Sequence, residues 1–77
     1  MKELVEYIAR SIVDQPESVS VEETTSGRHV DLKLSVAQSD MGRVIGKRGR
    51  VANSIRALLR VAAEQEGMRA SLDIAEP

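Results

Sequence analysis

Val44-Ile45-Gly46-Lys47-Arg48-Gly49-Arg50 is the stretch on which the reading of this 77-residue chain turns. Met41, Val44 and Ile45 lie before or within it at helical spacing, and Val51, Ile55, Leu58, Leu59 and Ala62 follow on one helical stripe. Ser39 is placed to cap the first, short helix, with Asp40 in its opening turn. Gly46-Lys47-Arg48-Gly49 therefore reads as a tight turn between two helices. Glycine permits positive φ there and leaves no side chain to hold a sugar-phosphate chain away. The N–H groups that open the second helix add partial positive charge at the same place. Lys47 and Arg48 add two mobile cations, and the guanidinium can contact a phosphate bidentately.

Upstream of the turn, Val30, Leu32, Leu34 and Val36 alternate with Asp31, Lys33 and Ser35, the clearest strand pattern in the chain. Val19 and Val21 alternate with Ser18, Ser20 and Glu22 as a second strand, joined to the first through a turn at Thr25-Ser26-Gly27-Arg28. Leu4, Val5, Ile8, Ala9, Ile12 and Val13 mark an amphipathic helix, which Asp14-Gln15-Pro16 ends because proline disfavours helical geometry in the residue before it. Downstream, the long helix fades at Gly67, and Met68, Ala70, Leu72 and Ile74 alternate as a last strand. The order helix, strand, strand, helix, helix, strand implies an α+β fold of two layers, with helices packed on one face of a three-stranded sheet.

At this length the chain forms one domain, residues 1–77, and every apolar stripe is committed to a single small core. The absence of cysteine and the single histidine exclude disulfide frameworks, thiol nucleophiles and ordinary zinc sites. His29, beside the hairpin turn, reads as a surface loop residue, and Arg10 belongs to a polar helix face. No apolar run approaches the ~20 residues of a membrane span, and the opening residues lack a signal-peptide core, so the cytoplasm is the expected compartment. Tyr7 is the sole aromatic residue, which excludes a platform of stacked aromatic rings for bases.

The net charge of −1 conceals a polarisation. Between Met41 and Ala63 lie Arg43, Lys47, Arg48, Arg50, Arg56 and Arg60 with no acidic residue, while all twelve carboxylates lie elsewhere. Such a stretch draws a polyanion to one face and repels it from the rest.

Val44-Ile45-Gly46-Lys47-Arg48-Gly49-Arg50 resembles the (V/I)-I-G-x-x-G turn of KH domains, and the element order matches the type II, bacterial arrangement of that fold (α-β-β-α-α-β). Over the whole chain the sequence is similar to the stand-alone bacterial RNA-binding proteins of the KhpA type. The resemblance implies a three-stranded sheet covered on one face by three helices. It implies non-catalytic binding of single-stranded RNA, in the manner of an RNA chaperone or post-transcriptional regulator, with about four nucleotides clamped between the helices and the sheet. It also implies a homodimer, or a heterodimer with a second KH-containing protein of the KhpB type. No cofactor, metal, membrane or small-molecule substrate is implied. Carried onto this chain, Gly46, Lys47, Arg48 and Gly49 hold the phosphate backbone, Val44 and Ile45 form an apolar floor under the bases, and Arg43 and Arg50 reinforce the field. Base readout would fall to the Val30–Val36 strand. Without aromatic residues, low sequence specificity follows, and useful affinity needs a second site.

On the long helix, Asn53, Arg56 and Arg60 form a polar arc opposite the core stripe, and Ser54, Ala57 and Val61 form a small side strip suited to a dimer contact. Competing readings fare less well. A nucleotide-binding P-loop needs four residues between its glycines, whereas Gly42 and Gly46 enclose three, and Arg48 stands where Ser or Thr would hold the metal. Catalysis lacks a nucleophile–base pair. A helix-turn-helix DNA reader is the main rival, but Asn53 is the only amide on the second helix before Gln65 and the cations crowd the turn. A KH-fold dimerisation module without RNA binding sits poorly with two intact glycines and two cations.

Overall fold

A computed structural model describes residues 1–75. Helix α1 (Lys2–Ile12) buries Val5 and Ala9 completely, and the chain turns extended at Val13. A 3-10 turn at Pro16–Ser18 leads into strand β1 (Ser20–Ser26), which pairs antiparallel with β2 (His29–Ser35). Sequence alternation places the first strand around Val19–Glu22, but pairing carries it on to Ser26 although Val21 is its one buried residue. The expected four-residue turn narrows to Gly27-Arg28, with Gly27 at φ +59, because Ser26 and His29 already pair across the ladder.

Strand β3 (Arg69–Ile74) pairs parallel with β2, giving the order β1-β2-β3 with β2 in the middle. Between β2 and β3 run the short helix α2 (Met41–Ile45) and the long helix α3 (Arg50–Gln65). The helices cover one sheet face, where Val21, Val30, Leu32, Leu34 and Leu72 meet Val5, Ala9, Val44, Ile55 and Leu59 in the core. The opposite face is open and polar, exposing Glu22, Thr24, Asp31, Lys33, Ser71 and Asp73. The fold is therefore the two-layer α+β arrangement that the sequence implies. Among the described residues no helix is long and apolar enough to cross a membrane.

Two local expectations are corrected. Ser39 does not cap α2: Gln38–Asp40 form a 3-10 turn, Asp40 takes the cap position, and Ser39 Oγ instead accepts a hydrogen bond from Gln15 Nε2 at 3.2 Å. Leu58 is not in the core but 56% exposed, while Ala52 and Ala63 are buried beside Ile55 and Leu59. The inward arc of α3 is thus rotated toward the alanines, whose small side chains let the helix lie close to the sheet.

Candidate nucleic-acid interface

Helix α2 ends at Ile45 and the chain reverses through Gly46 at φ 75°, ψ 171°, a region open in practice to glycine alone. Space imposes the same choice. A Cβ on Gly46 would lie 2.5 Å from Val51 Cγ2 and 2.7 Å from the Val51 backbone nitrogen. Lys47–Gly49 then form one 3-10 turn, closed by the Gly49 N–H donating to the Gly46 carbonyl at 3.1 Å. Arg48 sits at φ 59°, ψ 26°, the one non-glycine residue at positive φ among the described residues. Such a left-handed conformation costs a residue with a Cβ about 1–2 kcal/mol. Gly49, at φ 76° and ψ 13°, hands the chain to α3.

No side chain caps α3, and the N–H groups of Gly49 and Arg50 are already taken by the carbonyls of Gly46 and Lys47. The positive charge of the turn therefore resides mainly in side chains. Lys47, Arg48 and Arg50 are exposed, and none pairs with a described carboxylate. Arg43 behaves differently. Its Nη2 lies 3.1 Å from Asp14 Oδ2 and its Nε 3.8 Å from Asp40 Oδ1, so two carboxylates neutralise the charge expected to reinforce the turn. The end of α1 delivers Asp14, and the preceding 3-10 turn delivers Asp40; sequence spacing alone gives no sign of the first.

The two apolar residues before Gly46 separate. Val44 is fully buried and seats α2 on the core, so it offers no surface to a base; Ile45 is half-buried and keeps some. The strand named for base readout is also displaced. Both edges of β2 are consumed, by β1 on one side and β3 on the other. The unpaired edge beside α3 belongs to β3. Arg69 and Ala75 donate their N–H groups to the Arg28 and Leu34 carbonyls on the β2 side, so by the alternation of a parallel ladder Ala70, Leu72 and Ile74 turn theirs outward.

Helix α3 presents two different flanks. Ser54, Ala57, Leu58 and Val61 are exposed on one, with Leu58 and Val61 each 56% exposed. Asn53, Arg56 and Arg60 occupy the other, toward β3, where the half-buried Arg56 donates from Nε to the Leu72 carbonyl at 3.0 Å. That contact had no signal in the sequence, because nothing in it says which strand lies against which helix flank.

A mixed three-stranded sheet beneath three helices, with a glycine-bounded turn joining the second helix to the third, defines a type II KH domain. More narrowly, the chain belongs to the KhpA/KhpB KH-domain family, whose family model matches residues 2–74. It is 47% identical over 74 residues to the RNA-binding protein KhpA of Clostridium acetobutylicum, covering 96% of this chain and 99% of that protein. It is 46% identical to the KhpA protein of Halalkalibacterium halodurans over 74 residues, 96% of this chain and 97% of the relative. The KhpA protein of Chlamydia pneumoniae is 42% identical over 76 residues, 99% of this chain and 97% of its own length.

Proposed function

We propose that this chain is a non-catalytic, single-stranded RNA-binding protein of the RNA chaperone or post-transcriptional regulator type, one KH domain over residues 1–77, acting in the cytoplasm. The Gly46-Lys47-Arg48-Gly49 turn grips the sugar-phosphate backbone, Arg50 adds charge, and Ile45 gives aliphatic surface to the bases, with Val44 supporting from behind. About four nucleotides fit such a clamp. The observation that carries this reading is Arg48: a strained backbone persists only where surrounding structure over-determines it, and here it holds outward a guanidinium with no carboxylate partner among the described residues. The KhpA relatives, named as RNA-binding proteins, support it. Titration of labelled single-stranded RNA against duplex DNA of the same sequence tests it, since a four-nucleotide groove has no room for a duplex. Tighter binding to the duplex would favour the helix-turn-helix reading.

Leu58 and Val61 favour a second element of the proposal: self-association, or pairing with a second KH-containing protein, through the Ser54, Ala57, Leu58 and Val61 flank of α3. The extra exposure of Leu58 turns a single stray valine into a continuous apolar strip at i, i+3, i+4, i+7. This strip lies on a different side of α3 from Arg56 and Arg60, with Arg50 one turn before Ser54 on the same side.

A further inference from the structure

Of the six cations in the acid-free stretch, Arg43 is the one that the fold pairs with carboxylates among the described residues. It lies in the last turn of α2, three residues before Gly46 and so about 4.5 Å from it along the helix axis. Its closer partner, Asp14, comes from the break after α1, and both side chains are more than half exposed. Asp14 is not there by chance of a loose end. Its N–H and that of Gln15 both donate to the buried Asp40 carboxylate, and Pro16 restricts the backbone of the residue before it. The backbone of Asp14 is thereby anchored at the start of α2, while its carboxylate reaches Arg43 Nη2 in solvent at 3.1 Å. The contact from Arg43 Nε to Asp40 Oδ1 is longer, 3.8 Å, and each Asp40 oxygen already accepts an N–H.

An exposed ion pair of this kind is worth a few-fold in an equilibrium constant at most, so it holds the arginine without locking it. A phosphodiester offers a guanidinium two acceptor oxygens, as a carboxylate does. Lys47, Arg48 and Arg50 have no carboxylate partner among the described residues, and a strand drawn to them meets Arg43 one helical turn away. We propose that Asp14 is the resident counter-ion of a phosphate subsite at Arg43: in the unbound protein it occupies the guanidinium, and a phosphate of the strand held at Gly46–Gly49 takes its place. The exchange trades one ion pair for another. Arg43 therefore adds less to binding than an uncommitted arginine would, and Asp14 sets the difference. A ligand too short to reach past the turn leaves the Asp14–Arg43 pair closed, so the pair favours strands over a lone phosphate. The proposal rests on the RNA-binding reading above.

An eight-nucleotide single-stranded RNA, titrated at several salt concentrations against the wild type, Asp14→Asn, Arg43→Ala and the double variant, tests it. Asp14→Asn keeps the backbone N–H on Asp40, so its melting temperature should stay within about 2 °C of the wild type. It should bind the RNA about 2- to 5-fold more tightly, the reach of one exposed pair. Arg43→Ala should bind about 3- to 10-fold more weakly and lower the salt slope by roughly 0.7, the value for one phosphate on a single strand. In the Arg43→Ala background, Asp14→Asn should bring no gain, because the carboxylate has no guanidinium left to hold. A general loss of negative charge would instead tighten both backgrounds equally, and a purely structural pair would lower the melting temperature with no gain in affinity. Either result overturns the subsite while RNA binding stands. If the wild type binds no RNA, or binds it no better than the variant with Lys47→Asp and Arg48→Asp, the underlying reading itself fails.

Discussion

The carboxylate of Asp40 accepts the backbone N–H of Asp14 at 3.0 Å, and its other oxygen takes the next N–H, of Gln15, at 3.1 Å. Asp40 is 1% exposed, so this one side chain satisfies two N–H groups at the break after α1 and fixes where α2 begins. The Gly46–Gly49 turn lies at the other end of that five-residue helix. Asp40→Ala should leave both N–H groups without their partner and cost about 2–4 kcal/mol. Thermal denaturation should show a melting temperature lower by 10 °C or more.

Lys47→Asp combined with Arg48→Asp should abolish binding of single-stranded RNA while the circular dichroism spectrum stays that of the wild type and the melting temperature does not fall; Arg48→Asp, which suits the left-handed region, should raise it modestly. Both side chains are exposed and unpaired with described carboxylates, so the fold loses nothing. For the wild type, log affinity should fall against log salt with a slope of about −2 to −4, corresponding to several phosphates at roughly −0.7 each.

The two loop glycines should not be equivalent. Gly46→Ala adds a Cβ against Val51 in a conformation that only glycine adopts, and should cost more than about 3 kcal/mol. Gly49→Ala enters a left-handed conformation where the new Cβ meets only Asn53 Nδ2, at 3.7 Å in ordinary contact, and should cost about 1 kcal/mol. Equal losses in chemical denaturation would contradict the packing argument. At Arg48, substitution by Asn, which tolerates the left-handed region, should raise the melting temperature by about 2–4 °C and weaken RNA binding together.

Val61→Asp and Leu58→Asp should each lower the sedimentation mass from dimer to monomer without loss of folded structure, since both positions are more than half exposed. A wild type that sediments as a monomer throughout the micromolar range removes self-association, leaving the strip to a different KH-containing partner.

On the open sheet face, Ser71 Oγ donates to the Asp31 carboxylate, and His29 Nε2 lies 2.9 Å from it. The hydroxyl first, and the imidazole second, hold the Asp31 carboxyl below the usual aspartate range. A depressed folded pKa contributes stability above the unfolded value, and that contribution fades as pH falls through the folded pKa. Carbon-detected NMR titration of Ser71→Ala should move Asp31 upward, toward an ordinary aspartate.

The sequence carried the element order and the turn because both rest on local signals: period-2 alternation in β2, period-3.6 stripes in α1 and α3, and two glycines around two cations. Placement between elements was not legible. Which strand is central, which flank of α3 meets β3, and that Asp14 reaches Arg43 all depend on contacts between distant residues. Leu58 shows the limit within one helix. Its spacing fits the apolar stripe, yet Ala52 and Ala63 win the buried positions because a close helix–sheet approach favours the smaller side chains.

The pairing of His29 with Arg69, and of Leu34 with Ile74, joins residues forty positions apart, with α2, the turn and α3 all lying between them. Loop closure of that length is slow compared with hairpin or helix formation. During synthesis, then, α1 and the β1–β2 hairpin can meet early, whereas the trough beside α3 has only one wall until the last strand docks. A nascent chain still held short of Ile74 would carry its cations without β3 beside α3, so on the proposed reading any selective capture of RNA would wait until β3 has left the ribosome.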